Sequence, residues 1–259
     1  MPSIIAIPAF TDNYIWMIRN GRAAAVVDPG DAAPVLAHLA REGLELTAII
    51  ATHHHKDHVG GVPALVERFA VPVFGPAREA IPARTVALGE GDRIDVPGVG
   101  VALRVLDIPG HTAGHIAYAG DIEGAALFCG DTLFAAGCGR LFEGTPAQMW
   151  DSLSKLARLD PATRVYCGHE YTLANLAFAA AVEPANAAVA ARTASATRAR
   201  QQGHPTLPST IADELATNPF LRAGVDAPRH AAEAHAGRAL AHPVDVFAVL
   251  REWKNGFRG

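Results

Sequence analysis

Four of the chain's 12 histidines fall within six positions, in the run Thr52-His53-His54-His55-Lys56-Asp57-His58-Val59-Gly60-Gly61. Imidazole and carboxylate side chains at this spacing are ligands for a divalent ion such as zinc, iron or manganese, and no thiolate is needed. An apolar run at 46–51 leads into the cluster, and a glycine-started helical stretch leaves it. Alternate residues face one way at a strand end, so His53 and His55 aim at one point. The chain then turns, and Asp57 and His58 aim at a second point nearby. A single loop histidine carries little information. An H-x-H-x-D-H pattern pinned between an apolar strand and Gly-Gly is far harder to obtain by chance.

Three later stretches repeat the arrangement of an apolar run that ends in a polar ligand type: 105–109 before Gly110-His111, 125–129 before Gly130-Asp131, and 165–167 before Gly168-His169. Each candidate follows a glycine, where backbone can approach a crowded centre. His53, His55 and His111 form one expected ligand set, and Asp57, His58 and His169 a second. Asp131, with two oxygens, bridges them. Two such shells about 3.5–4 Å apart can hold a hydroxide between them, which is hydrolytic chemistry. His54 is expected to point away from the ions, His115 to orient a loop, and Lys56 to stay solvated. Asp28, in Val27-Asp28-Pro29-Gly30, reads as a turn former in preference to an acceptor behind a ligand histidine. Other chemistries lack their motifs: none of the five serines sits in G-x-S-x-G, none of the three lysines completes a phosphate loop, and HExxH is absent.

The elements that must hold these groups follow from periodicity and punctuation. Strands are expected at 3–7, 14–18, 24–27, 48–52, 71–74, 93–96, 101–108, 115–119, 125–129 and 164–167. Helices are expected at 31–41, 61–69 and 146–159 between them. Beyond about residue 170 the pattern turns helical, at 172–182, 187–202, 210–216, 231–240 and 243–255, with Pro205 and Pro208 interrupting. The expectation is a layered α/β domain followed by a helical one.

Composition bounds the function. A chain of 259 residues, 50% hydrophobic, is long enough to bury roughly 75% of its unfolded surface. Its 22 basic and 26 acidic residues give a net charge of -4, which provides no general field for nucleic acid. Three cysteines without a CxxC pair fit a reducing, cytoplasmic setting, where they serve as small buried hydrophobes. No apolar run is long enough to span a membrane, and the first residues read as a strand rather than a secretory signal.

These stretches together resemble the metallo-β-lactamase superfamily, whose signal is HxHxDH followed by a His, an Asp and a His. More narrowly, the chain resembles the hydroxyacylglutathione hydrolases, the glyoxalase II family. That likeness rests on Thr11-Asp12-Asn13-Tyr14, Gly137-Cys138-Gly139-Arg140-Leu141-Phe142-Glu143-Gly144, Gly168-His169-Glu170-Tyr171-Thr172, Pro208-Ser209-Thr210, Asn218-Pro219-Phe220-Leu221-Arg222 and Leu250-Arg251-Glu252-Trp253-Lys254. The resemblance implies a four-layer αββα sandwich over residues 1–169 and a helical domain over 170–259. It implies hydrolysis of an S-(2-hydroxyacyl)glutathione, with two divalent ions, zinc by default. Asp57 and Asp131 would orient a bridging hydroxide. Tyr171, Arg251 and Lys254 would hold the glutathione part, with Arg140 and Phe142 standing where the family often has Lys and Tyr. An Arg keeps the charge with a different donor geometry, and Phe142 lacks a hydroxyl. The expected partner is a small glutathione thioester, with no nucleic acid or membrane, on a monomer. The rivals are a mononuclear iron persulfide dioxygenase, and a lactonase or nuclease on the same fold.

Overall fold

A computed structural model describes residues 1–258. The first sheet runs in chain order: β1 (Ser3–Ala9), β2 (Asn13–Asn20), β3 (Ala23–Val27), β4 (Glu45–Ile50), β5 (Val73–Pro76) and β6 (Val86–Leu88). Its first three strands are antiparallel hairpins, and β3 to β6 are parallel. The second sheet contains β7 (Arg93–Val96), β8 (Val101–Asp107), β9 (Ile116–Asp121) and β10 (Ala125–Gly130) as antiparallel neighbours. A two-stranded ribbon, β11 (Leu133–Phe134) and β12 (Gly137–Cys138), leaves this sheet. β13 (Arg164–Cys167) then returns parallel to β10, and β14 (Ser209–Thr210) closes the edge.

Strand periodicity explains the layering. In β2, Trp16 and Ile18 join the core shared with Leu103, Val105, Tyr118 and Phe128 of the second sheet. Ile15 and Met17, on the opposite face, join a separate core with Val35, Leu39 and Leu65. Successive side chains alternate faces, so a strand buried on both sides reads as a continuous apolar run. The outer core lies under α1 (Ala32–Glu42) and α3 (Val62–Phe69); a single turn, α2 (Lys56–Val59), precedes α3. α4 (Pro146–Leu156) starts at a Thr145–Gln148 capping box and buries Met149, Leu153 and Leu156. The expected α/β sandwich is present, with strand ends within a few residues of those read from the sequence.

Five helices follow: α5 (Thr172–Val182), α6 (Ala187–Gln201), α7 (Ile211–Thr217), α8 (Asp226–Ala236) and α9 (Pro243–Gly256). α8 begins and ends earlier than the expected 231–240. Pro228 lies in its first turn, where a missing N–H costs nothing. Phe178, Phe220 and Phe247 of this region are buried in the sandwich core cluster, with centroid separations of 5.8 Å and 5.9 Å along the row. Buried polar groups tie the helices to the ribbon. Glu214 accepts from Ala136 N at 2.8 Å and from Asn218 Nδ2 at 2.9 Å, and Asn218 Nδ2 donates to Gly137 O at 2.9 Å. Arg192 neutralises the buried Glu214 at 2.7 Å.

Candidate metal centre

The histidine run begins where β4 ends beside its parallel neighbour β3, so the loops after both strands meet at one edge of the sheet. Asp28, in the loop after β3, accepts from Thr52 N and Thr52 Oγ1, both at 2.7 Å, and from His58 Nδ1 at 3.1 Å. This corrects the reading of Asp28 as a plain turn former. It does occupy a left-handed turn (φ 52), but its carboxylate stands behind a candidate ligand. His115 is stacked on His53 at 4.5 Å, and its Nε2 accepts from Asp131 N at 3.2 Å. His54 faces away, bonded to the buried Glu79 at 2.9 Å. Lys56 is exposed, and all three cysteines are free and buried.

Two sets of ligand atoms converge. Those of His53, His55 and His111 lie within 4.8 Å of one another, as do those of Asp57, His58 and His169. Asp131 lies between the sets: its Oδ2 is 3.5 Å from His111 Nε2 and 3.3 Å from His169 Nε2, and its Oδ1 is 3.3 Å from His58 Nε2. A third close group, Asp28 with His53 and His58, arises because Asp28 meets the opposite nitrogen of His58.

Tautomers test whether these residues fit cations. The Nδ1 of His111 donates to Arg140 O at 2.8 Å, that of His169 to Asp12 Oδ1 at 2.8 Å, and that of His58 to Asp28. An acceptor at Nδ1 leaves a neutral imidazole with a bare lone pair at Nε2. Those bare nitrogens crowd together: His58 Nε2 and His169 Nε2 are 3.3 Å apart, and His111 Nε2 is 3.0 Å from His55 Nδ1. His53 Nε2 and Asp131 Oδ1 are buried without a hydrogen-bond partner. Lone pairs and carboxylate oxygens so disposed repel unless positive charge lies among them.

Proton affinities say the same. Burial opposes charge on His58 and His169, yet Asp131 outweighs it and holds His58 well above the usual imidazole range and His169 up to about 10. In that protonated form, where the added proton supplies the positive charge, His169 donates to Asp57 and holds it well below the carboxylate range, and His58 does the same for Asp131 against its burial. Burial pushes His53 and His111 below the usual imidazole range. The donor set of imidazoles and carboxylates suits divalent transition ions.

Two glycines permit this density. A Cβ on Gly168 would lie 2.6 Å from both Asp131 Oδ1 and His58 Cε1, and one on Gly130 (φ 47) would lie 2.3 Å from Thr52 Oγ1. Sequence reasoning missed several supporting groups. Asp12 and Asn13 drew notice only as part of a resemblance, yet Asn13 Nδ2 donates to Asp57 Oδ2 at 3.1 Å. Glu79 receives His54 N, Thr112 Oγ1 and Gly114 N, and so ties two ligand loops together. Nothing local in the sequence distinguishes it.

The centre forms the floor of a cavity of about 710 Å³ that also reaches Arg140, Phe142, Tyr171, Arg251, Lys254 and Arg258. Arg140 is exposed at its rim. Tyr171 lies flat on His169 at 4.7 Å, and Phe142, 62% exposed, stands edge-on to His111 at 5.3 Å. Arg251 is only 6% exposed; it donates to Cys138 O at 2.7 Å and to Asn255 Oδ1 at 3.2 Å, with Nε unpartnered. Lys254 donates to Ala174 O at 2.8 Å, and burial beside Arg251 lowers its ammonium to about 8.

Comparison with known proteins agrees with this architecture. Residues 9–169 match the family model described as the metallo-beta-lactamase superfamily, and residues 170–257 match that of the hydroxyacylglutathione hydrolase C-terminus. A hydroxyacylglutathione hydrolase from Alkalilimnicola ehrlichii is 61% identical over 98% of this chain and 99% of its own. Among solved structures, ETHE1 from Myxococcus xanthus is similar at 26% identity and TM-score 0.65, covering 98% of both chains. The di-iron-bound form of TTHA1623 is similar at 29% identity and TM-score 0.58, over 84% of this chain and 99% of that one.

Proposed function

The chain belongs to the hydroxyacylglutathione hydrolases of the metallo-β-lactamase superfamily, and from that membership we propose that it hydrolyses the thioester of S-(2-hydroxyacyl)glutathiones. S-D-lactoylglutathione is the expected substrate, giving glutathione and D-lactate in the second step of methylglyoxal detoxification. The observation that carries this reading is the pair of ligand sets sharing Asp131 on the floor of a cavity walled by cations.

In this reading His53, His55, His111 and Asp131 hold one divalent ion, and Asp57, His58, His169 and Asp131 hold the other. Zinc is the proposed metal, with iron or manganese as alternatives. Two such ions would supply Lewis acidity, acidifying a water toward neutral pH and polarising the thioester carbonyl. Asp57 and Asp131 keep acceptor oxygens toward the space between the sets and orient the attacking water there. Arg140, Arg251 and Lys254 meet the carboxylates of glutathione, whose two negative charges need a local cationic wall on a chain of net charge -4. Tyr171 and Phe142 flank the reacting end. A thiol of pKa near 8.5 leaves readily as thiolate, so no strong acid from the protein is required.

The assignment divides the work: residues 1–169 carry the ions and residues 170–259 supply much of the recognition. A single chain contains every group invoked, and a monomer is the proposed working state. The three free cysteines support a cytoplasmic site of action. Among the described residues, no helix is long and apolar enough to cross a membrane.

A thioester panel tests the function. S-D-lactoylglutathione is offered beside a β-lactam, a lactone and a phosphodiester, with thiol release and metal content measured on one sample. Thiol release from the glutathione thioester is expected. Oxygen uptake with glutathione persulfide in place of that hydrolysis would transfer the assignment to the dioxygenase rival.

A further inference from the structure

Asp28 stands behind both ligand sets, through His58 and through Thr52, but the remaining supports of each set come from different parts of the chain. The tip of the β1–β2 hairpin reaches only one of the sets. Asp12 Oδ1 accepts from His169 Nδ1 at 2.8 Å, and Asn13 Nδ2 donates to Asp57 Oδ2 at 3.1 Å and to Asp57 O at 3.4 Å. The backbone repeats the attachment: Tyr14 N donates to Gly168 O at 2.9 Å, Glu170 N donates to Asp12 O at 2.8 Å, and Asn13 forms an isolated bridge with His169. Phe10, in a left-handed conformation (φ 51), lays its ring beside Gly30, which in turn abuts Asp57 O. The other set is supported elsewhere. His53 Nδ1 donates to Thr52 Oγ1 at 3.0 Å and His111 Nδ1 to Arg140 O at 2.8 Å, while Glu79 ties the His54 and Thr112–Gly114 loops.

We infer that Asp12 and Asn13 are positioning residues for the Asp57–His58–His169 ion alone. The hairpin tip sets that ion's affinity without touching the His53–His55–His111 ion. An imidazole fixed at Nδ1 by a carboxylate has its tautomer and ring plane set and its free nitrogen made more basic. A carboxamide on Asp57 fixes which oxygen turns inward. Glu79 is the counterpart for the opposite ion. This inference rests on the ligand assignment proposed above.

The test is competitive titration of the apo-protein with zinc against a chromophoric chelator, which reads two affinities independently of activity. The variants are Asp12→Ala, Asp12→Asn, Glu79→Gln, His169→Ala and the double variant Asp12→Ala/His169→Ala. The Asp12 side chain is 35% exposed, so its replacement leaves the core intact. Asp12→Ala is expected to weaken one ion about 10–100-fold and leave the other within experimental error. Asp12→Asn, which keeps an acceptor without the charge, should fall between. Glu79→Gln should weaken the other ion. In the double variant the remaining ion should bind as it does in His169→Ala alone. Equal weakening of both ions by Asp12→Ala, or of neither, would overturn the inference. Failure of the wild-type chain to bind two ions would instead overturn the ligand assignment.

Discussion

At the scale of single residues, the account depends on side chains whose free nitrogens and oxygens have no satisfactory partner among themselves. His55 and Asp131 illustrate it: one faces a bare imidazole nitrogen, and the other has a buried orphan oxygen. Outer partners of metal ligands typically cost 10–100-fold when removed, so loss of a ligand should cost more than about 100-fold. His55→Ala and Asp131→Ala are each expected to lose thioester hydrolysis by at least that factor together with bound metal, read by kinetics and metal analysis on the same preparation. Lys254 carries a pH prediction. Its ammonium loses its proton near about 8 in the folded chain, so a carboxylate it holds is bound below that pH and released above it. KM for the glutathione thioester should rise as pH passes upward through about 8, and Lys254→Arg should move that limb to higher pH. Stability carries the opposite sign. Between about 8 and the ordinary value of 10.5 the unfolded chain binds more protons at this residue, so the contribution of Lys254 to stability grows with pH. The candidate ligands stood out in the sequence because strand-end spacing is local information. Asp28, Asp12 and Glu79 did not, because a carboxylate behind an imidazole comes from remote sequence and looks like any turn or loop acid.

At the scale of elements, the centre exists because strands of both sheets end at one edge and their following loops approach within van der Waals distance. Gly168, after β13, is the instance that lies against the side chains of two candidate ligands, Asp131 and His58. Gly168→Ala should cost about 1–3 kcal/mol of stability by overpacking. It should also lower metal affinity, because the new methyl displaces Asp131 and His58; denaturant unfolding and zinc titration read the two effects. Unchanged zinc affinity would show that the loop relaxes freely. Most elements were readable from alternation and helical period, since β2, β8 and β10 are long apolar strands with clear breaks. The elements missed were too short to carry a period: α2 spans four residues, β6 three, and β11, β12 and β14 two each. α8 starts ahead of the expected residue 231 because its first turn accepts Pro228, where no N–H is needed.

At the scale of the whole molecule, an acidic chain gathers Arg140, Arg251, Lys254 and Arg258 around one cavity. Screening shortens the reach of such charges from about 10 Å at 0.1 M salt to about 3 Å at 1 M. KM should therefore rise several-fold across that range while kcat changes little, measured by initial rates at fixed pH; a salt-independent KM would remove the cationic wall from the account. The change from sandwich to helices near residue 170 was legible as a change of texture. The joint between them was not, because Glu214, Asn218 and Arg251 act through buried contacts with β12 and its neighbours that no local pattern announces. The central claim is that two ions seated on seven side chains perform the hydrolysis. Metal-free protein titrated with zinc, with S-D-lactoylglutathione cleavage followed at each addition, tests it most directly. Activity should climb from baseline and level off near two ions per chain. Full cleavage without metal, or two bound ions with no cleavage, would contradict it.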